Sequence, residues 1–309
     1  MVDRTRPRAE PADLATIRVA LPAPLDVPGS LGGLQRWGDD LIDRWVGGRW
    51  LRVLRIAGRS VPARAQAAGS IATPVLEITA AAEDLERAAE RFGASFVSVD
   101  AARLATLAEA DPAVAAADAR FPGIRPLLTH ETFDALVRSI SAQQVNLRWA
   151  AETRRRLAVR YGERHQIQGE PVMALDPMVF ADAKVEDLRS LQLTTVKAKS
   201  VIAAARAVLD GGLERSDLDA LEDGAVIERL IAIYGIGRWS AEWFLARTLG
   251  RPTVVAGDLG VRKAVGRAYF GGRMPSEADV RAATAHWGAA AGVAQQLLLN
   301  TLLSAGAGT

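Results

Sequence analysis

After about residue 100 the chain reads as one helical segment after another, and this succession constrains its fold more than any other feature. Apolar residues recur at helical spacing over residues 133–161, 185–191, 195–210, 225–234, 238–249, 259–269, 277–286 and 292–303, with short Gly, Pro and Asp punctuation between them. Ser276-Glu277-Ala278-Asp279, after Pro275, has the form of a capping box. Strand and helix patterns do not alternate here, so a doubly wound sheet is not expected. Residues 16–104 differ: 17–21, 50–56 and 75–78 carry strand patterns, whereas 31–45 and 82–92 carry helical ones. The expected class is α+β. A flexible basic tail over residues 1–15 precedes a small α+β domain over 16–104 and a mainly helical region over 105–309.

Composition then narrows the chemistry. The sequence has no cysteine, which excludes disulfides, thiol catalysis and Cys-ligated zinc or iron–sulfur centres. Three scattered histidines, His130, His165 and His286, make no histidine-rich metal site. The N-terminal MVDRTRPRAEPADL lacks an apolar core and is not read as a signal peptide. The most apolar stretch, residues 289–305, is interrupted by Gln295, Gln296, Asn300 and Thr301, so it reads as a buried helix and not a membrane span. The expected location is the cytoplasm, with no membrane partner. Net charge is only +2, but between residues 235 and 273 Arg238, Arg247, Arg251, Arg262, Lys263, Arg267 and Arg273 meet only Glu242 and Asp258. Such a cluster fits a phosphate-facing surface or, equally, a solvated helical face.

The stretch that carries chemistry is residues 230–269. Two helical patterns flank Tyr234-Gly235-Ile236-Gly237, where the glycines permit a tight hairpin and close backbone approach. The helix that starts near Arg238 leaves backbone N–H groups able to hold a phosphate without reading sequence, although a plain helical hairpin has the same pattern. A dinucleotide-binding turn is excluded, because the third glycine is missing and the segment follows a helix. Asp258 precedes Leu259-Gly260-Val261 and is a good N-cap. The same N–H donors and helix dipole favour a charged carboxylate, which facing a cleft could stabilise a cationic sugar or orient a water. Trp239 and Trp243, four apart, share a helix face. They suit core packing, and their rings also suit a cationic base.

Together these residues resemble the helix-hairpin-helix DNA glycosylases, specifically the 3-methyladenine DNA glycosylase II (AlkA) type. Leu230, Gly235-Ile236-Gly237, Trp239-Ser240-Ala241 and Asp258 carry the motif. Asp111-Pro112, Phe121-Pro122-Gly123-Ile124-Arg125-Pro126, residues 133–145 and residues 191–199 add further matches, over roughly residues 105–287. The resemblance implies two helical subdomains with the active site in the cleft between them, and an N-terminal α+β domain like that family's extra one. It makes Asp258 the catalytic carboxylate, Trp239, Trp243 and Gln143 pocket residues, and Gln144 the wedge that fills the gap left by a flipped base. Gly235, Ile236, Gly237 and Arg238 become the phosphate-binding hairpin. The main-chain carbonyls of Ile231, Ile233 and Gly235 would hold a Na+ or K+ ion, and no organic cofactor is implied.

Bifunctional relatives carry a Schiff-base lysine where this chain has Trp239, nineteen residues before the aspartate. Tryptophan forms no imine, so a monofunctional enzyme acting on alkylated bases in double-stranded DNA, as a monomer, is implied. After Trp287 the family usually shows a proline, an aromatic, an arginine and a serine. This chain has Gly288-Ala289-Ala290-Ala291-Gly292, from which a roomier pocket is expected. The alternative is a non-catalytic DNA-binding protein that uses the same hairpin as a clamp, with Asp258 only a cap.

Overall fold

The computed structural model describes residues 8–305. Five antiparallel strands form the N-terminal sheet: β1 (Leu14–Ala20), β2 (Asp43–Val46), β3 (Arg49–Ile56), β4 (Arg59–Gly69) and β5 (Pro74–Ala81), in the order β1-β5-β4-β3-β2. The helix α1 (Val27–Arg36) lies between β1 and β2, and α2 (Leu85–Gly93) follows β5. Residues alternate across β3. Trp50, Leu54 and Ile56 pack with Phe92 of α2, and Leu51 and Val53 pack on the opposite face against Ile167, Val172 and Ala174. Those three belong to a hairpin of β6 (Glu163–Ile167) and β7 (Glu170–Ala174) set within the helical region. The sheet is therefore buried on both faces near its centre and is fastened to the helices.

The helices divide into two cores. The chain first enters one of them with α3 (Ala101–Ala110) and α4 (Pro112–Arg120). It then builds the other from α5 (Thr132–Ala142), α6 (Leu147–Tyr161), α7 (Pro177–Ala181), α8 (Val185–Ser190), α9 (Thr195–Leu209), α10 (Arg215–Asp219), α11 (Asp223–Ile231) and α12 (Arg238–Phe244). It returns to complete the first core with α13 (Leu259–Tyr269), α14 (Glu277–Thr284) and α15 (Ala291–Ala305). Among the described residues no helix is long and apolar enough to cross a membrane.

Several expectations need correction. Residues 31–45 are not one helix. Gly38 at φ +116° ends the turn, and the Asp39 and Asp40 carboxylates accept from Leu41 and Ile42 N–H, which redirects the chain into β2. Residues 133–161 are two helices, because Gln144 takes φ +54° and the Asn146 side chain caps α6 by accepting from Trp149 N–H. The strands β4, β6 and β7 were not anticipated. Their two-residue turns, Ala57-Gly58 and Gln168-Gly169, have positive φ at both positions, yet Ala and Gln carry no hairpin signature. The tail over residues 1–15 is also shorter than expected. β1 already begins at Leu14, Arg8 N–H donates to Arg164 O, and Glu10 accepts from Gly169 N–H. The part of that tail over residues 1–7 lies outside the described residues. The capping box forms as expected, between Ser276 and Asp279.

Candidate active site

Asp258 stands at the N-cap of α13, where Oδ1 accepts from Val261 N–H at 3.0 Å. Its other oxygen, Oδ2, accepts from the Trp239 indole Nε1 at 3.1 Å. Trp239 lies on α12, which belongs to the core of residues 132–249, whereas α13 belongs to the other. One indole–carboxylate bond therefore spans the seam between the two helical halves, with both partners half-buried. One oxygen of the carboxylate caps α13, and the other reaches α12 across the seam.

The hairpin is built as its glycines suggest, but the two glycines differ. Gly235 takes φ +79°, and a Cβ there would lie 1.8 Å from Ser200 Oγ on α9. Gly237 has φ −100° and open space where a Cβ would point, so it serves as the backbone N-cap of α12 without needing glycine's freedom. Ile236 is buried and donates its N–H to Ile233 O at 3.0 Å, which pins the turn. Gln143, at the end of α5, donates through Nε2 to Gly235 O at 2.9 Å and to Ser240 Oγ at 3.3 Å. It thereby ties the α5–α6 turn, with exposed Gln144, to the hairpin. The carbonyls of Ile233 and Gly235 each accept one bond and keep a second lone pair, a hard-oxygen donor set of the kind that suits Na+ or K+.

The basic cluster does not form one phosphate-facing surface. Arg238 pairs with Glu242 at 2.8 Å, Arg251 with Asp223 at 2.6 Å, and Arg262 donates to Pro275 O. Exposed Lys263 and Arg267 have no ion pair among the described residues. Glu242 is buried and also receives Arg281 at 2.7 Å.

Arg247 points inward, a role that residue type alone did not indicate. It lies on a π-helical turn, Leu245–Leu249, and donates to Gln296 Oε1 at 2.6 Å; Gln296 in turn donates to Asn300. Burial lowers the Arg247 pKa to about 10 while the neighbouring Asp258 charge works the other way, so it stays cationic at neutral pH. A signal existed, since Arg247 follows Trp239 and Trp243 at four-residue spacing. Buried Gln295 accepts from Val255 N–H at 2.8 Å, in the segment that leads to Asp258. Three of the polar breaks in the apolar stretch, Gln295, Gln296 and Asn300, thus make inward hydrogen bonds.

Trp243 is half-buried and packs against the core of residues 132–249. The alanine segment also departs from expectation. Ala290 and Ala291 are buried in the other core, and the hollow of about 380 Å³ beside Ala289 and Ala290 is lined by α3, His286 and Trp287, not by Asp258 or Trp239. Next to it the buried Asp111 carboxylate accepts from Tyr269, His286 and Trp287 while capping α4, and so clamps that core. An open groove of about 820 Å³ along Ile202, Leu213, Arg229 and Tyr234 likewise omits Asp258.

A hairpin presented by one helical core and a capped carboxylate presented by the other define a helix-hairpin-helix architecture. Residues 137–289 match the model of the HhH-GPD superfamily base excision DNA repair proteins. The chain is similar to the DNA-3-methyladenine glycosylase of Bacillus subtilis (strain 168), 26% identical over 183 residues, which is 59% of this chain and 60% of that protein. It spans between 44% and 60% of the length of the curated relatives it matches. The solved 3-methyladenine DNA glycosylase from Archaeoglobus fulgidus superposes with a TM-score of 0.81 at 25% identity, covering 92% of this chain and 97% of that one. The Clostridium acetobutylicum 8-oxoguanine glycosylase/lyase shares the fold at 17% identity and a TM-score of 0.73, covering 96% and 98%.

Proposed function

We propose that the chain is a monofunctional DNA glycosylase. It flips alkylated bases, 3-methyladenine among them, out of double-stranded DNA and hydrolyses the N-glycosidic bond, leaving an abasic site. The observation that carries this reading is the Asp258 carboxylate at the seam of the two helical cores, held by the Val261 N–H and the Trp239 indole. The similarity to named DNA-3-methyladenine glycosylases supports it.

The hairpin of Gly235, Ile236, Gly237 and Arg238, with Lys263 and Arg267, lies against the phosphate backbone. The carbonyls of Ile231, Ile233 and Gly235 would hold a Na+ or K+ ion, which would supply positive charge at the turn. Flipping costs a few kcal/mol of unstacking, less for a damaged base. The base enters beside Trp239 and Trp243, whose π faces attract its positive charge. The C1′–N bond then breaks, and its electron pair leaves with the base, which becomes neutral. Asp258 stabilises the positive charge growing on the sugar, and water bonds to C1′ and loses its proton. Trp239 offers no amine, so no covalent imine forms with the sugar.

The test is release of free base from alkylated duplex DNA. Asp258→Asn lowers the rate by about 100-fold or more and leaves the fold intact, because asparagine also caps helices. Excision by this variant at the wild-type rate would make Asp258 only a cap. Borohydride trapping on abasic DNA yields no covalent adduct, and an adduct would contradict monofunctional chemistry.

A further inference from the structure

The open groove of about 820 Å³ runs between α9 and α11, on ground that neither Asp258 nor residues 235–238 of the hairpin occupy. Ile202, Ala203 and Ala207 of α9, with Val185, Leu213 and Ile233, make its floor aliphatic. Three cations stand along it, Lys199 and Arg206 on α9 and Arg229 on α11, against Asp210 as the acid in the lining. All three cations are exposed, and none has an ion pair among the described residues. Each arginine is instead pinned by a backbone carbonyl. Arg206 donates to Ala181 O through Nε at 3.1 Å and Nη2 at 3.0 Å, and Arg229 donates to Gly212 O at 2.7 Å. A carbonyl orients a guanidinium without neutralising it and leaves further N–H donors for a ligand. From Lys199 to Asp210 the groove follows α9 for about 16 Å, the rise of about three helical turns. Tyr234, 52% exposed, stands at the end nearest the hairpin.

We propose that this groove docks an acidic amphipathic helix of a partner protein. The apolar stripe of that helix packs on the aliphatic floor, and its carboxylates meet Lys199, Arg206 and Arg229. A nucleic-acid strand suits the surface less well. Its bases need aromatic faces to stack on, and Tyr234 is the one ring in the lining. The groove shares no residue with Asp258, Trp239 or the hairpin glycines, so partner and DNA are held together. Tyr234 adjoins Gly235 in the chain, and Lys199 adjoins Ser200, which abuts Gly235, so the docked helix ends beside the hairpin. The site gives another protein a handle by which to bring this chain to DNA, independent of the chemistry at Asp258.

The test is fluorescence anisotropy of the full chain with a labelled peptide of about eleven residues, in which Leu and Phe recur at helical spacing among Asp and Glu. The wild type binds it saturably. Versions with Leu and Phe replaced by Ser, or with Asp and Glu replaced by Lys, bind at least about tenfold more weakly. Lys199→Glu, at an exposed position, keeps the wild-type denaturation curve and weakens the acidic peptide about tenfold. Excess undamaged duplex DNA leaves the peptide bound. No saturable binding of the acidic peptide, equal affinity for the Ser version, or wild-type affinity in Lys199→Glu would overturn the assignment. Displacement by duplex or single-stranded DNA would overturn it too, by making the groove a nucleic-acid surface. No step needs base excision, so this inference and the glycosylase reading stand or fall separately.

Discussion

Replacing Gly235 and Gly237 separately by alanine divides the hairpin into a structural half and a binding half. Gly235 sits at φ +79°, where an L side chain costs about 1–2 kcal/mol. Its new Cβ would also meet Ser200 Oγ at 1.8 Å and Ser200 Cβ at 2.8 Å. Ser200 is fully buried in α9, and its hydroxyl is engaged with Val196 O at 2.8 Å, so it yields only by shifting backbone. Such overpacking costs about 1–3 kcal/mol. The sum, about 2–5 kcal/mol, is a large share of the stability of an ordinary domain. Gly237→Ala meets neither penalty, because φ is −100° and no atom lies within 4 Å of the new Cβ. It should be stable to within about 0.5 kcal/mol and yet bind damaged and undamaged duplexes more weakly alike, its methyl intruding between backbone and phosphate. The assay is urea denaturation of both variants, of Ser200→Gly and of Gly235→Ala/Ser200→Gly, together with binding isotherms. The cycle should return a coupling of about 1–3 kcal/mol between positions 235 and 200. A Gly235→Ala cost below about 1 kcal/mol, no coupling to Ser200, or a stability loss in Gly237→Ala equal to that of Gly235→Ala would refute the reasoning.

Three further outcomes are expected. Trp239→Phe keeps a ring but deletes the indole N–H that reaches Asp258, so the base-release rate should fall while affinity for an abasic-site duplex holds; an unchanged rate would show that the bond does not orient the carboxylate. Burial, helped by the nearby Glu131 charge, pushes the Asp134 carboxyl up to about 7. The folded state therefore keeps a proton that the unfolded chain has released, and stability should fall as pH rises from about 4 to about 7. Asp134→Asn should flatten that slope in denaturation measured across pH, and a slope unchanged in the variant would assign it to other groups. Ala290→Trp, which an open-pocket reading would use to narrow the lesion range, should instead overpack a buried position and lower stability by about 1–3 kcal/mol or more; a stable variant with an altered excision profile would restore the open pocket.

Local chemistry made the centre of the site legible. An aspartate ahead of a helical pattern is a cap wherever it falls, and two glycines between helical patterns are a turn. Neither needs knowledge of distant residues. The bond from Trp239 to Asp258 is of another kind, since it depends on how two cores meet, and sequence spacing carries no information about that. The same holds for Gln143, which was assigned to the pocket and also reaches the Gly235 carbonyl and Ser240. The alanines after Trp287 misled for a related reason: small residues look like a missing wall until the helix that packs on them, α3, is known. Among the strands, β6 and β7 escaped because Gln168 occupies a turn position that asparagine or glycine usually announces.

The route of the chain through its two helical cores has a consequence for synthesis. The core that presents the hairpin is complete once residue 249 has been made, whereas the core that holds Asp258 draws on residue 97 at one end and residue 298 at the other. On a ribosome working from the N-terminus, the half that carries the hairpin can finish folding while the aspartate's half still waits for α15. The early helices α3 and α4 pack on each other but lack the rest of their core until then. A nascent chain thus acquires its hairpin before Asp258 is set, and the interval between the two is governed by the synthesis of the final three helices.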